Sequence, residues 1–261
     1  MQQATQQKSG QEDQIDRYVS TLIAQASRHR AVHHPYLKAL ADGTLPDLRR
    51  ALADFALHYY GYSAHFPRYL TVTISRLEAP HHRQMLLENL VEESGQYDDT
   101  ELQLLESHGV KPDWIMGVPH PILFRRFREA LGLQGDLGID GIEVTCWREM
   151  FYNIMAHGSP AEAVGALGLG TENIAAQVYA YLVEAISQID LPPEATVFFP
   201  LHCEVDDRHQ KTLHEIARTL ARTREGRQGL EYGMRKALFL RASFWEFLYQ
   251  RAIGLGKEEI Q

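Results

Sequence analysis

Apolar residues recur along almost the whole chain at the three- and four-residue spacing of amphipathic helices. Ile15, Val19 and Leu22 mark the first of these helices, and the last one occupies about residues 229–253. Runs that alternate apolar and polar residues, which are typical of half-buried strands, are absent from the sequence. The pattern therefore predicts an all-α fold of roughly eight to ten helices.

The same pattern predicts one domain. Residues 1–13 are polar and rich in glutamine, so we expect a disordered tail there. Residues 14–261 contain no repeat and no linker, and we interpret them as a single helical domain. Within it, one long helix is predicted over about residues 46–77, with a kink at Pro67. Another is predicted over residues 161–189.

One predicted helix, from Leu201 to about Arg222, carries polar residues inside its apolar face. With successive residues about 100° apart, His202, Asp206 and His209 lie in the middle of the apolar stripe. Burying a carboxylate is costly unless it is paired or binds a metal. Two imidazoles and one carboxylate on one face suit Fe(II), Mn(II) or Zn(II). The alternative is a structural hydrogen-bond network in which Asp206 bridges two core histidines.

A second helix offers a further carboxylate. Glu172 shares one face with Ala175 and Tyr179, so we expect its side chain to point inward. Several glycines precede it and keep that face small. The alternative is that Glu172 begins a new helix after this glycine-rich segment, with Thr171 as its N-cap.

A third carboxylate comes from the segment before Gly95. Glu93 continues the apolar face formed by Leu86 and Leu90, whereas Glu92 lies on a more polar flank. A distortion near Gly95 would exchange the two roles. Carboxylates and imidazoles that project from facing helices are how helical proteins hold two iron or manganese ions. The resulting candidate ligand set is Glu93, Glu172, His202, Asp206 and His209.

These motifs resemble the haem-oxygenase-like di-metal oxidases, relatives of thiaminase II and of the pyrroloquinoline-quinone synthase C protein. The resemblance rests on His202-x3-Asp206-x2-His209, on Glu93 in the place of the family's first Glu ligand, and on Glu172 in the place of its second. Residues 58–70 also resemble the chlamydial p-aminobenzoate-forming member of the group. The resemblance covers about residues 19–249 and implies a haem-oxygenase-like helical bundle.

The chain departs from the family pattern in two places. Members usually carry a further histidine a turn or more after the first Glu, but residues 94–99 contain none, and His108 is too far along. We expect Tyr97, Asp98 or Asp99 to take that position, or the position to be empty, and consider Asp99 the additional ligand. The lysine near the second Glu of the p-aminobenzoate-forming member has no counterpart, so its chemistry is not carried over.

The resemblance implies an O2-dependent non-haem oxidase or oxygenase that uses two Fe(II) ions, or iron and manganese. We expect the second metal site to be weak because the histidine is missing, and O2 to be the co-substrate. The implied substrate is a small amine or carboxylate of the amino-acid or fatty-acid class. Two alternatives remain open. One is a cofactor-independent enzyme, either quinone-synthase-like or thiaminase II-like with Cys146 as nucleophile. The other is a non-catalytic interaction protein.

Composition narrows the expected partners. The formal net charge is −8 and no basic stripe occurs, which argues against nucleic-acid binding. No apolar run is long enough to span a membrane and no signal-peptide core is recognisable, so we expect a cytoplasmic protein that binds no membrane. Cys146 and Cys203 lack the spacing of a disulfide framework. The expected partners are a small-molecule substrate and, for assembly, a second copy of the chain in a homodimer.

Overall fold

The computed structural model describes residues 2–134 and 141–254, and for residues 2–9 and 204–209 it describes the backbone alone. Throughout this part every regular element is a helix, so the predicted all-α class is confirmed. A π-helix covers Gly165–Glu172. The α-helices are α1 Gln2–Ser27, α2 Pro35–Ala41, α3 Leu48–Ser63, α4 Phe66–Arg76, α5 Pro80–Glu93, α6 Asp99–Ser107, α7 Pro112–Ile115, α8 His120–Ala130, α9 Ile142–His157, α10 Pro160–Val164, α11 Asn173–Ser187, α12 Pro193–Thr196, α13 Phe198–Leu220 and α14 Arg224–Gly254.

The long helix predicted over residues 46–77 is two helices. Helix α3 ends at Ser63, and α4 begins at Phe66 with Pro67 in its first turn. Proline lacks a backbone N–H and fits the first turn of a helix better than its interior. The predicted kink at Pro67 is therefore a complete break.

The N-terminal segment is part of helix α1, which begins at Gln2. The side chains of residues 2–9 lie outside the described part of the chain, and residues 10–13 are exposed. Disorder of residues 1–13 in solution stays a prediction.

One continuous core of buried apolar side chains fills the bundle, and aromatic rings dominate its centre. Tyr59, Tyr62 and Trp245 are each less than 2% exposed. The ring of Tyr62 stacks on that of Trp147 with 3.8 Å between centroids. None of the described helices is both long and apolar enough to cross a membrane. This aromatic core forms one wall of the candidate site.

The π-helix packs closely against α14 because glycines remove side chains from the contact. A Cβ at Gly165 would lie 2.2 Å from the carbonyl oxygen of Leu230, and one at Gly170 would lie 2.8 Å from Cβ of Ala237. Such approaches are shorter than any ordinary van der Waals contact. This packing holds the end of the π-helix, and hence Glu172, against the centre of the bundle.

Acid is expected to destabilise the fold partly through His34. Burial, followed by the nearby Arg30, lowers the pKa of His34 to about 4. A histidine in the unfolded chain has a pKa near 6.5. Between pH 6.5 and pH 4 the imidazole of His34 is therefore protonated more in the unfolded chain than in the folded protein. The free energy of unfolding consequently falls as the pH falls through this range. Its Nδ1 also accepts a hydrogen bond from the N–H of Tyr36 at the start of α2.

We expect His34→Asn to keep that helix cap but to reduce the loss of unfolding free energy between pH 7 and pH 5. The reduction should be on the order of 1 kcal/mol, after allowance for screening by surrounding surface charges. Urea unfolding at both pH values measures it. Equal losses in the variant and the wild type would contradict the assignment.

Candidate metal centre

A narrow cavity at the centre of the bundle brings most of the predicted ligands together. Its walls include Glu93 from the end of α5, His120 from the start of α8, Glu172 from the π-helix and His202 from α13. Its free volume without any ligand is only about 30 Å³, so a ligand larger than an ion with one or two waters can enter only if side chains of the wall move. Five of the ten other lining residues are aromatic, so rings surround much of this polar group.

Glu93, His120 and His202 form the innermost group. Their ligand atoms all lie within 4.8 Å of one another, which is a spacing suited to one metal ion. Oε1 of Glu93 lies 3.1 Å from Nδ1 of His120, yet this buried Nδ1 has no partner with hydrogen-bond geometry in the described part of the chain. One carboxylate oxygen and two imidazole nitrogens at this spacing match the donor set of iron, manganese or zinc. The residues present therefore fit a metal ion.

A backbone contact between two loops brings Glu93 and His120 together. Gly95 follows α5 with a φ of +82°, a conformation that favours glycine. The N–H of Gly117 donates to the carbonyl of Gly95 over 2.8 Å. A Cβ at Gly95 would lie 2.5 Å from the backbone of Val118. The chain before α8 thus packs directly on the end of α5.

Hydrogen bonds orient both imidazoles. Nδ1 of His202 lies 2.6 Å from the carbonyl oxygen of Phe198, and because a carbonyl can only accept, Nδ1 carries the proton and Nε2 keeps its lone pair. Nε2 of His120 lies 2.7 Å from the hydroxyl of Tyr97, which leaves Nδ1 of His120 to face Glu93. Partners of this kind fix the ring orientation and tautomer of metal-binding histidines.

Tyr97 stays protonated beside His120. Burial raises the pKa of this phenol well above its usual value, and the carboxylates of Glu93 and Glu92 raise it further. A neutral phenol can both donate and accept a hydrogen bond, so it can pair with His120 whichever nitrogen of the ring is protonated.

Glu172 points inward, as predicted, but not within a regular α-helix. It is the last residue of the π-helix, is 7% exposed and lines the cavity. Thr171 does not cap a new helix: its hydroxyl donates to the carbonyl of Ala166, and α11 continues directly from the π-helix. The alternative of a fresh helix start is therefore wrong. π-Helical turns inside α-helices are frequent at functional sites.

The remaining predicted ligands are placed less completely. Asp206 and His209 belong to the backbone of α13, four and seven residues after His202, but their side chains lie outside the described residues. Asp99 is exposed in the first turn of α6 and does not join the group. Asp98 caps the same helix by accepting from the backbone N–H groups of Thr100 and Glu101.

Sequence reasoning missed His120. The segment Pro119-His120-Pro121 reads as a proline-punctuated loop, and its distance from Glu93 along the chain gives no periodic signal. Two features of the sequence hint at this contact between His120 and Glu93. His120 stands between two prolines at the start of a helix, and Gly95 follows Glu93 closely. Both Glu92 and Glu93 are buried, but only Glu93 lies within the three-residue group.

Comparisons with known proteins identify the family of this chain. The model of a family described as iron-containing redox enzymes matches residues 53–242. A 4-chloro-allylglycine synthase from Streptantibioticus cattleyicolor is 23% identical to the chain over 250 residues, covering 94% of the chain and 87% of that protein.

Solved structures show the fold. A CADD-like protein of unknown function from Nostoc punctiforme has a TM-score of 0.69 at 16% identity, covering 93% of this chain and 98% of its own. A domain with a haem-oxygenase-like fold from Shewanella denitrificans has a TM-score of 0.65 at 17% identity, covering 92% of each chain. A TenA homologue from Pseudomonas syringae has a TM-score of 0.66 at 14% identity, covering 91% and 92%. The predicted haem-oxygenase-like bundle is confirmed, and the chain belongs to the family of iron-containing redox enzymes.

Proposed function

We propose that this protein is an O2-dependent non-haem oxidase or oxygenase that holds two iron ions, or iron and manganese, in the central cavity. The observation that carries the proposal is the group formed by buried Glu93, buried His120 and half-buried His202, whose ligand atoms lie within 4.8 Å of one another. Glu172 lines the same cavity. Asp206 and His209, one and two turns after His202 on α13, would complete the ligand set.

The protein's own side chains would orient and shield the metals. The carbonyl of Phe198 and the hydroxyl of Tyr97 hold the two imidazoles in place. Rings of Tyr59, Tyr179 and Phe198 line the cavity and limit the entry of water. Bound iron would supply the electrons and the coordination positions needed to reduce O2, and the residues around it tune that chemistry through geometry and polarity.

The proposed substrate is a small molecule with an amine or a carboxylate group. The cavity is small and has polar groups among aromatic walls, which suits a compact polar substrate. The name of the Streptantibioticus relative describes the synthesis of a chlorinated amino acid. Amino acids are therefore the first compounds to test, and fatty acids the second.

The cofactor-independent alternative has less support. A thiaminase II-like mechanism needs a cysteine nucleophile, and Cys146 is exposed and does not line the central cavity. An interaction protein without catalytic activity would leave the buried carboxylates and imidazoles of the cavity without a role, although burying them is costly.

Replacing Glu172 by glutamine is expected to weaken metal binding and O2 consumption. The change keeps the shape of the side chain but removes its negative charge, so Fe(II) affinity should fall about tenfold or more. Anaerobic titration with Fe(II) measures affinity and stoichiometry, and an oxygen electrode then measures O2 consumption. The matched control is Glu92→Gln, which changes a carboxylate that is equally buried but lies outside the cavity lining.

Unchanged iron affinity and O2 consumption in Glu172→Gln would contradict a ligand role for this residue. The wild-type titration also tests the stoichiometry of two and the prediction of unequal sites. The expectation of a weak second site depends on a missing histidine near Glu93. Because His120 lies beside Glu93, the titration decides between equal and unequal sites. Binding of no iron under these conditions would contradict the proposed function itself.

A further inference from the structure

Arg241 is a buried cation in the wall of the metal cavity. It lies on α14, is 4% exposed and lines the same cavity as Glu172 and His202. The guanidinium group donates its hydrogen bonds to two tyrosine hydroxyls. Nη1 donates to Tyr59 and Nη2 donates to Tyr62, and each donor–acceptor distance is 3.3 Å. Among the described residues, no carboxylate forms an ion pair with it.

Aromatic rings surround the rest of the guanidinium group. Its Cζ lies 5.5 Å from the ring centroid of Tyr62, 5.6 Å from that of Trp147 and 6.0 Å from that of Trp245. These contacts stabilise the cation partly but do not neutralise it. A buried charge is normally paired, because removing an ion from water is costly. Arg241 therefore has the environment of a cation whose counter-ion arrives with a ligand.

A short chain of side chains connects Arg241 with a proposed metal ligand. The hydroxyl of Tyr59, which accepts from Arg241, lies 2.9 Å from the hydroxyl of Tyr179. The ring of Tyr179 in turn lies 5.4 Å, centroid to centroid, from that of His202. Two tyrosines thus separate the cation from the metal-binding imidazole. An anion held at Arg241 would lie in the same cavity as the proposed metal ligands.

We propose that Arg241 binds the carboxylate of the substrate and positions the rest of that substrate toward the metal centre. This inference rests on the proposed function and narrows its substrate class to monocarboxylates, among them amino acids. The planar guanidinium matches a carboxylate in shape and donor geometry. A phosphate dianion fits less well, since Arg241 is the only lysine or arginine among the described residues of the cavity wall and balances one negative charge.

The purely structural alternative is that Arg241 only braces the tyrosines. In that case its loss would reduce stability but would not change which ligands bind. A comparison between a carboxylate and its neutral amide separates the two roles. The probes are L-norleucine against L-norleucinamide, and hexanoate against hexanamide, so that one pair carries an amine and the other does not.

Binding is measured by calorimetry and by thermal shift on the full-length protein, loaded with Fe(II) and kept anaerobic so that no turnover occurs. We expect at least one carboxylate to bind the wild type about tenfold or more tightly than its amide. Arg241→Gln should abolish this preference, and Arg241→Lys, which keeps the charge but loses the planar fork, should retain part of it. The Fe(II) content of each variant is measured in parallel and should stay close to that of the wild type.

The matched control is Arg128→Gln. Arg128 is also buried, at 3% exposed, and its Cζ lies 4.7 Å from the ring centroid of Tyr60, but it is not part of the cavity wall. This variant loses a buried arginine with an aromatic partner and should keep the carboxylate preference. Circular dichroism shows whether each variant is folded. If a variant does not fold, the comparison of acid with amide in the wild type still tests the proposal.

Two outcomes would overturn the proposal. In the first, neither carboxylate binds the wild type more tightly than its amide. In the second, Arg241→Gln still binds the carboxylate more tightly than the amide. These outcomes differ from a failure of the proposed function. A protein that binds iron but shows no carboxylate preference contradicts only the role of Arg241. A protein that prefers carboxylates through Arg241 but binds no iron contradicts the proposed function and leaves the anion site standing.

Discussion

Replacing His120 by alanine is expected to remove most of the bound iron while the protein stays folded. His120 contributes a buried Nδ1 that lies 3.1 Å from Oε1 of Glu93 and has no hydrogen-bond partner in the described part of the chain. Loss of an outer partner of a metal ligand already costs about 10–100-fold in affinity, so loss of a ligand should cost at least as much. Anaerobic Fe(II) titration and metal analysis of the purified variant measure the effect.

The control for this experiment is His82→Ala. His82 is equally buried, at 3% exposed, and its Nε2 also lacks a partner among the described residues, but it does not line the central cavity. Both variants create a similar void, so a difference in iron content reports on the metal site rather than on packing. If His120→Ala binds iron as tightly as His82→Ala, the ligand role of His120 is wrong.

Replacing Gly165 by alanine is expected to destabilise the fold and disturb the site together. The added Cβ would lie 2.2 Å from the backbone oxygen of Leu230 on α14, and backbone atoms cannot rotate away as a side-chain end can. Overpacking of this kind costs typically about 1–3 kcal/mol, which exceeds the gain of up to about 1 kcal/mol from the higher helix propensity of alanine. The π-helix must then move away from α14 and take Glu172 with it.

Urea unfolding measures the stability of Gly165→Ala, and Fe(II) titration measures its metal affinity, which we expect to fall as well. Gly254→Ala is the matched control, since a Cβ at this position near the end of α14 meets nothing within 4 Å. That variant should be as stable as the wild type or slightly more stable. A Gly165→Ala protein with wild-type stability would show that the π-helix can be accommodated without the close glycine contact.

Part of the candidate metal site could be predicted because its residues belong to single helices. The inward direction of Glu172 followed from its register with Ala175 and Tyr179, and the structure buries it. The position of His202 on the inner side of α13 followed in the same way. That Asp206 and His209 also lie on the inner side of α13 stays a prediction, since their side chains lie outside the described residues.

The pitch of the segment before Glu172 could not be predicted from periodicity. The periodicity predicts an α-helical register with 3.6 residues per turn over residues 161–189, but Gly165–Glu172 forms a π-helix. The glycines signal close approach to another element, yet they do not say which element approaches or how the helix widens to meet it. That depends on the backbone of α14 at Leu230 and Met234.

The sequence by itself determined the helical class, the inward carboxylates and the family resemblance, because each depends on local spacing or short motifs. Only the tertiary structure decided that His120 lies beside Glu93 and that Arg241 lines the same cavity. These residues come from separate helices, and the contact between His120 and Glu93 depends on loop backbones that pack at Gly95 and Val118. Contacts between distant segments arise from the packing of whole elements, which no periodicity within a single element encodes.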